Sequence, residues 1–248
     1  MLRGCFVTGT DTGVGKTVLA AALAAGLRAR GVRVAACKPV ITGLEEPTPP
    51  GWPADHELLA RATGRAAREV ALFGYGPPVS PHLAAELAAR PIDPGELERR
   101  IVAVAAGADL IVVEGTGGLL VPLSDGYDIR RLATSLGLPL LIAARPGLGT
   151  INHTLLTLES ARAAGLRVAA VVLTPWPPSP DRMERSNRAT IAALGGVAVE
   201  VLPRIACADP SLLEQAARTL PLRRWLSVWR VCRRGAPAGA PASDRSRD

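Results

Sequence analysis

The segment GTDTGVGKT, at residues 9–17, narrows the folds open to this chain more than any other stretch. It follows an apolar run, residues 5–9, that reads as a buried strand, and it leads into the helical pattern of residues 16–30. Strand, glycine-rich turn and helix in that order let backbone N–H groups turn inward as a nest for an anion. The helix N-terminus adds its partial positive charge. Lys16 is spaced to reach the outer phosphates of a nucleoside triphosphate, and the Thr17 hydroxyl to ligate Mg²⁺. One spacing departs from the usual phosphate loop. Five residues, not four, separate Gly9 from Gly15, and Thr10 stands at the expected glycine position.

Beyond the loop, apolar runs alternate with helical patterns almost to the end. Strands are expected at residues 5–9, 32–37, 109–114, 139–144, 167–173 and 197–202. Helices are expected at 16–30, 55–63, 81–89, 95–106, 129–135, 152–164 and 181–193. Several strands lack strict alternation, as strands covered on both faces do. The pattern predicts an α/β chain of the P-loop NTPase type: three layers around a mainly parallel sheet joined by right-handed crossovers. No internal repeat is visible. Two proline-rich loops, 45–53 and 174–180, follow strand ends, where an open α/β sheet places its ligands.

The chain has 248 residues, 48% of them hydrophobic, enough for one large domain with a sizeable core. Aromatics are only 3%, so alanine, valine, leucine and isoleucine must fill that core. The net charge of +7 suggests nucleic acid, but its location argues otherwise. Residues 223–248 hold seven arginines and two aspartates, which leaves only +2 on residues 1–222. The expected boundary is therefore near residue 222, between a folded P-loop α/β domain (1–222) and a basic, disordered C-terminal tail (223–248). No run approaches the ~20 apolar residues of a membrane span. The N-terminus lacks a secretory layout. Cys5, Cys37, Cys207 and Cys232 show no paired spacing, and His56, His82 and His153 are dispersed, so neither zinc nor a disulfide framework is expected. Nor do Ser80 and His153 sit in a nucleophile-elbow context. A cytoplasmic protein without nucleic-acid or membrane partners is the expectation.

Of the 29 basic residues only two are lysine, Lys16 and Lys38. A biased composition explains the arginines, and the lysines that remain are candidates for work that a planar guanidinium cannot do. Lys38 lies in CKPVITG at the end of an expected strand, where Pro39 keeps the preceding residue extended. Neutralising a transferring phosphoryl group is its natural role. Thr42 offers a hydroxyl in the same loop. In ADLIVVEGTGG a buried strand ends on Glu114, positioned like the acid that faces the metal in a second phosphate-loop motif. Gly115, Gly117 and Gly118 around Thr116 let backbone approach a ligand closely. Asp55, before HELLARA, reads as a helix N-cap.

The set GTDTGVGKT, CKPVITG, VSPH, VEGTGG and LGTINHTLLT, in this order, resembles dethiobiotin synthetase over about residues 4–220. The longer loop spacing is that family's own variant. The resemblance implies that Gly13, Val14, Gly15, Lys16, Thr17 and Val18 wrap the ATP phosphates. It implies Mg²⁺ at Thr17, Asp55 and Glu114, and catalytic lysines at Lys16 and Lys38. Glu114, Gly115, Thr116 and Gly117 would line the phosphate and substrate side. Thr174, Pro175, Pro203, Arg204 and Ile205 would sit on the nucleotide side, and Thr42 would contact the diamine. Gly149, Thr150, Ile151 and Asn152 would receive the substrate carboxylate from the partner subunit of a homodimer. The activity implied is carboxylation and ring closure of 7,8-diaminononanoate with CO₂ and ATP.

Thr174 stands where members often carry an adenine-reading asparagine, and it lacks the bidentate pattern of an amide. Relaxed nucleobase selection is therefore expected. The rival reading is a regulatory P-loop ATPase stimulated by a partner or polyanion. In the partitioning and septum-site ATPases a signature lysine lies five residues before the loop lysine, and here that position is Asp11.

Overall fold

The computed structural model describes residues 2–226. In chain order it begins β1 (Gly4–Gly9), α1 (Lys16–Arg28), β2 (Val34–Ile41), α2 (Asp55–Thr63), α3 (Ala67–Val70) and β3 (Ala71–Gly74). There follow α4 (Pro81–Leu87), α5 (Pro94–Val104), β4 (Leu110–Glu114), β5 (Pro122–Ser124), β6 (Tyr127–Asp128) and α6 (Ile129–Leu136). The last elements are β7 (Leu140–Ala144), α7 (Thr150–Ala163), β8 (Val168–Trp176), α8 (Arg182–Gly195), β9 (Val199–Pro203), α9 (Pro210–Ala217) and α10 (Leu222–Leu226). Seven strands form one sheet in the order β3-β2-β4-β1-β7-β8-β9, and every pairing in it is parallel. β5 and β6 make a separate antiparallel pair.

The sheet separates two cores. One holds α1, α2, α9 and α10 residues, the other residues of α4 to α8. Strands β1, β4 and β7 are buried at every residue, which is why their sequences read as unbroken apolar runs. α1 is buried along most of its length and is built largely of alanine. Small side chains bring it close to its neighbours. A Cβ added to Gly26 would stand 2.5 Å from the Cβ of Ala217 on α9. Four helices begin under an aspartate that accepts from the backbone N–H of a first-turn residue: Asp93, Asp128, Asp181 and Asp209.

Three expectations are corrected. β2 does not stop at Lys38 but runs through Pro39 to Ile41. It pairs with β4 as far as Cys37 and with β3 from Lys38 onward, and the register pairs skip Pro39. The missing N–H therefore falls between ladder bonds and costs the strand little. β8 likewise continues past Leu173 to Trp176, where it pairs with Pro203, so residues 174–176 belong to a strand and not to a loop. Asp55 is not a cap. Ala54 holds that position, and Asp55 opens α2 with its carboxylate turned elsewhere. The expected boundary at residue 222 falls at the start of α10, whose Trp225 and Leu226 pack into the α1 core. Residues 227–248, most of the expected tail, lie outside the described residues.

Candidate active site

Three adjacent strands deliver the site. β1 feeds the phosphate loop, β2 carries Lys38 just past its last pairing with β4, and β4 ends on Glu114. This is the crevice that an open α/β sheet forms outside its strand ends. The loop is fixed by its glycines at two points. Gly13 and Gly15 have φ of 68° and 89°, in the left-handed region that glycine enters without penalty. Val14 between them is buried, with a methyl 2.7 Å from where a Cβ on Gly9 would stand. Lys16 Nζ donates to the Asp11 carbonyl at 2.7 Å, so the loop is wrapped around its own lysine.

Beside it lies a cluster of charge. Lys38 Nζ donates to Asp55 Oδ2 at 2.7 Å and, through a short contact, to Glu114 Oε1. Thr17 Oγ1 donates to the same Glu114 oxygen at 2.8 Å. Lys38 is 4% exposed and Glu114 0%, while Asp55 keeps 47% of its side-chain surface open. Burial works against the Lys38 charge, but Glu114 and Asp55 outweigh it and hold the ammonium above its ordinary pKa. Burial pulls Lys16 down to about 8, and the repulsion of Lys38 pushes the same way. For Asp55 the protein surroundings raise the carboxyl, yet Lys38 prevails and holds it below the ordinary value. Glu114 is pushed up by burial, which Lys38 offsets only in part. Two ammonium groups and two carboxylates thus balance one another in one spot.

Thr17, Asp55 and Glu114 make a donor set of hard oxygens, which suits Mg²⁺ and not a soft metal. The second oxygen of Glu114 is buried with no hydrogen-bond partner, an acceptor free for a cation. The residues present therefore fit the ion. Among the described residues no cluster of three or more His, Cys, Asp and Glu side chains exists, so a metal here would take two carboxylates, a hydroxyl and the nucleotide's own oxygens.

All of these groups line one cavity of about 910 Å³. Gly13, Gly15, Val18, Thr42, Thr116 and Gly117 line it too. Thr116 Oγ1 donates to the Val40 carbonyl at 2.6 Å, tying the loop after β4 to β2. Gly115 is set back, its absent Cβ leaving room for Phe6 at 3.0 Å. The far wall comes from two proline-rich segments, the 45–53 loop expected near the ligands and the stretch that leads into VSPH. Trp52, Pro78, Val79 and Ser80 are its members, mostly apolar, with Glu46 at the exposed rim. Their signal was the proline density, which does not say where a loop folds.

Two expected groups lie elsewhere. Thr174 is buried with its methyl 2.7 Å from where a Cβ on Gly15 would stand, so it packs on the phosphate loop from the β8 side. Pro175, Pro203, Arg204 and Ile205 continue that side, where the Arg204 N–H donates to the Trp176 carbonyl at 2.9 Å. Gly149, Thr150, Ile151 and Asn152 open α7 at the end of β7 and do not line this cavity. A residue that sequence reasoning missed also lies on that flank: Arg145 Nη2 donates to the Thr12 carbonyl of the phosphate loop at 3.1 Å.

A family profile described as an AAA domain matches residues 3–210. The chain is 44% identical over 195 residues to the ATP-dependent dethiobiotin synthetase BioD of Anaeromyxobacter dehalogenans, an alignment that covers 78% of this chain and 86% of that protein. With the protein of the same name from Mycobacterium sp. (strain KMS) it shares 41% over 226 residues, 89% of this chain and 96% of the relative. With that of Rhodococcus jostii it shares 43% over 195 residues, 78% and 82% of the two chains.

Proposed function

This chain belongs to the dethiobiotin synthetase family, and from that premise we propose that it is a ligase of biotin biosynthesis. Using ATP, it carboxylates 7,8-diaminononanoate with CO₂ and closes the ureido ring of dethiobiotin. One observation carries the reading most directly: Lys16, Lys38, Thr17, Asp55 and Glu114 converge in a single cavity at the ends of β1, β2 and β4.

The chemistry asks for little covalent work from the protein. One amine of the diamine takes up CO₂ as a carbamate and loses a proton. A carbamate oxygen attacks the γ-phosphorus of ATP, the bond to the bridging oxygen breaks, and ADP leaves. The second amine then attacks the carbonyl of the mixed anhydride, phosphate departs, and a second proton is lost as the ring closes. Lys16 and Lys38 neutralise charge on the oxygens of the transferring group, and the inward N–H groups of residues 13–18 hold the phosphates. Mg²⁺, held by Thr17, Asp55 and Glu114, would supply further charge neutralisation on the triphosphate. Lys38 is held between the two acids, which fix its ammonium in the cavity. Thr42, on the wall of the same cavity, is the proposed contact to the diamine. The mostly apolar far wall suits a hydrocarbon chain.

We read the oligomer as a homodimer. Leu148, 94% exposed immediately before α7, and Leu156 on α7 are apolar surface that a second copy would cover. Gly149, Thr150, Ile151 and Asn152 would then meet the partner's substrate carboxylate through the N–H groups of a 14-residue helix. No helix among the described residues is long and apolar enough to cross a membrane, and the cytoplasm is the proposed location. Thr174, buried against Gly15, presents no amide to a base, so nucleoside triphosphates other than ATP are expected to serve. Turnover with ATP, CTP and GTP checks this, and strict ATP dependence would overturn it.

The test of the main reading is an assay with diaminononanoate, bicarbonate, Mg²⁺ and ATP. Dethiobiotin and one phosphate per turnover are expected. ATP hydrolysis that ignores the diamine but rises with a polyanion would favour a regulatory ATPase instead.

A further inference from the structure

Arg145 lies outside the reacting cluster, on the other flank of the phosphate loop. β7 pairs with β1 as far as Gly9 and Ala143, and the Thr10 N–H continues the ladder by donating to the Ala143 carbonyl at 3.0 Å. Two residues further, Arg145 Nη2 reaches the Thr12 carbonyl at 3.1 Å and stands 3.4 Å from where a Cβ on Gly13 would be. Pro146 holds Arg145 extended. From the opposite side the buried Asn187 of α8 donates to the Pro146 and Gly147 carbonyls at 2.9 and 3.2 Å. The segment is therefore braced between a helix and the phosphate loop.

The bond has a consequence for the nucleotide. In a trans peptide the C=O and the following N–H point in opposite directions. Drawing the Thr12 carbonyl outward to a guanidinium turns the Gly13 N–H toward the opposite side, and Thr12 and Gly13 both line the cavity. Gly13, with φ of 68° and no Cβ, gives this peptide freedom to rotate when nothing restrains it. The loop also carries one residue more between Gly9 and Gly15 than the common spacing, so it has an additional peptide to orient.

We propose that Arg145 is a positioning residue for the triphosphate: it locks the Thr12–Gly13 peptide so that the Gly13 N–H faces the phosphates, with Asn187 bracing the segment that carries it. This rests on the nucleotide-binding reading above. The test measures ATP binding directly, by titration calorimetry with Mg²⁺ and without diamine, for the intact chain and for Arg145→Met, Arg145→Lys and Asn187→Ala. Arg145→Met should bind ATP about fivefold more weakly, the factor that one net hydrogen bond is worth. Arg145→Lys, which retains a donor for the same carbonyl, should lose less, and Asn187→Ala should fall in the same direction. In turnover the Met variant should raise the KM for ATP while kcat and the KM for diamine hold. Unchanged ATP affinity in Arg145→Met would overturn the proposal. So would equal losses in the Met and Lys variants accompanied by a lowered Tm, the result of a purely structural role. If the unmodified protein bound no ATP, the nucleotide reading itself would fail along with it.

Discussion

Arginine stands wherever this chain needs an exposed positive charge, yet Lys38 sits buried with its compact ammonium bonded to two acids at once. Lys38→Arg should therefore lose at least about a hundredfold in kcat, the scale of removing one preorganised charge at a transferring group. Lys16→Arg should lose a similar factor because its ammonium is enclosed by the loop. Near-normal turnover in both variants would undo the argument. A second residue-scale prediction concerns acid stability. Side-chain hydrogen bonds from Arg33 come first among the causes that hold the Asp109 carboxyl below its ordinary value, with a backbone N–H adding to them. A carboxylate with a lowered folded pKa stabilises the protein above its unfolded value near ~3.9, and that gain is lost as pH falls through the folded value. The stability gap between wild type and Asp109→Asn should be constant from pH 6 to 8 and close below about pH 4. Chemical denaturation at each pH reads this out, and a gap independent of pH would contradict it. Lys16 and Thr17 were legible through the phosphate-loop spacing, Lys38 as one of only two lysines, and Glu114 as the acid that ends a buried strand. Asp55 was legible only through resemblance, since its approach to Lys38 depends on the path of the loop at 45–53. Arg145 was not legible, because nothing local tells that β7 lies beside β1.

Elements with strong periodicity or a punctuating residue were readable, and short ones were not. α1 and α2 fall within two residues of expectation, as their apolar patterns start at a glycine turn and at a proline-rich loop. β3 is four residues long and follows α3 with no breaker between them, so no pattern separates the two. α9 carried a signal that was overlooked, an Asp209 cap with Pro210 behind it. The close contact of α1 with α9 makes a quantitative prediction. Gly26→Ala gains up to about 1 kcal/mol in helix propensity. It also places a methyl 2.5 Å from the Cβ of Ala217, both on helix backbones with little freedom to give. Overpacking of that kind costs about 1–3 kcal/mol, so net destabilisation of about 1 kcal/mol is expected. Ala217→Gly in the same chain should recover much of it, and a more stable single variant would show that the helices separate freely.

At the scale of the molecule, strand and helix alternation sufficed for a parallel three-layer architecture but not for the strand order. That order decides which loop ends share the crevice, and it places β2 and β4 on one side of β1 and β7 on the other. The proposed dimer predicts a sedimentation mass of twice the chain. Replacing Leu148 and Leu156 together by Ser should yield monomers with a raised KM for diamine, and a fully active monomer would remove the partner from the site. Thiol accessibility follows from the same layering. Cys5 and Cys37 are buried in strands, Cys5 with its pKa pushed up to about 12 by burial, whereas Cys207 is exposed. In a Cys232→Ser background a thiol reagent should find one group in the native protein and three after denaturation. Both lysines of the chain are confined to the one nucleotide cavity. An activated ester would therefore meet no ε-amine on the outer surface. Acylation, immobilisation through amine coupling and aldehyde cross-linking would all be directed first to the α-amine, and prolonged exposure would reach the two lysines of the active centre next.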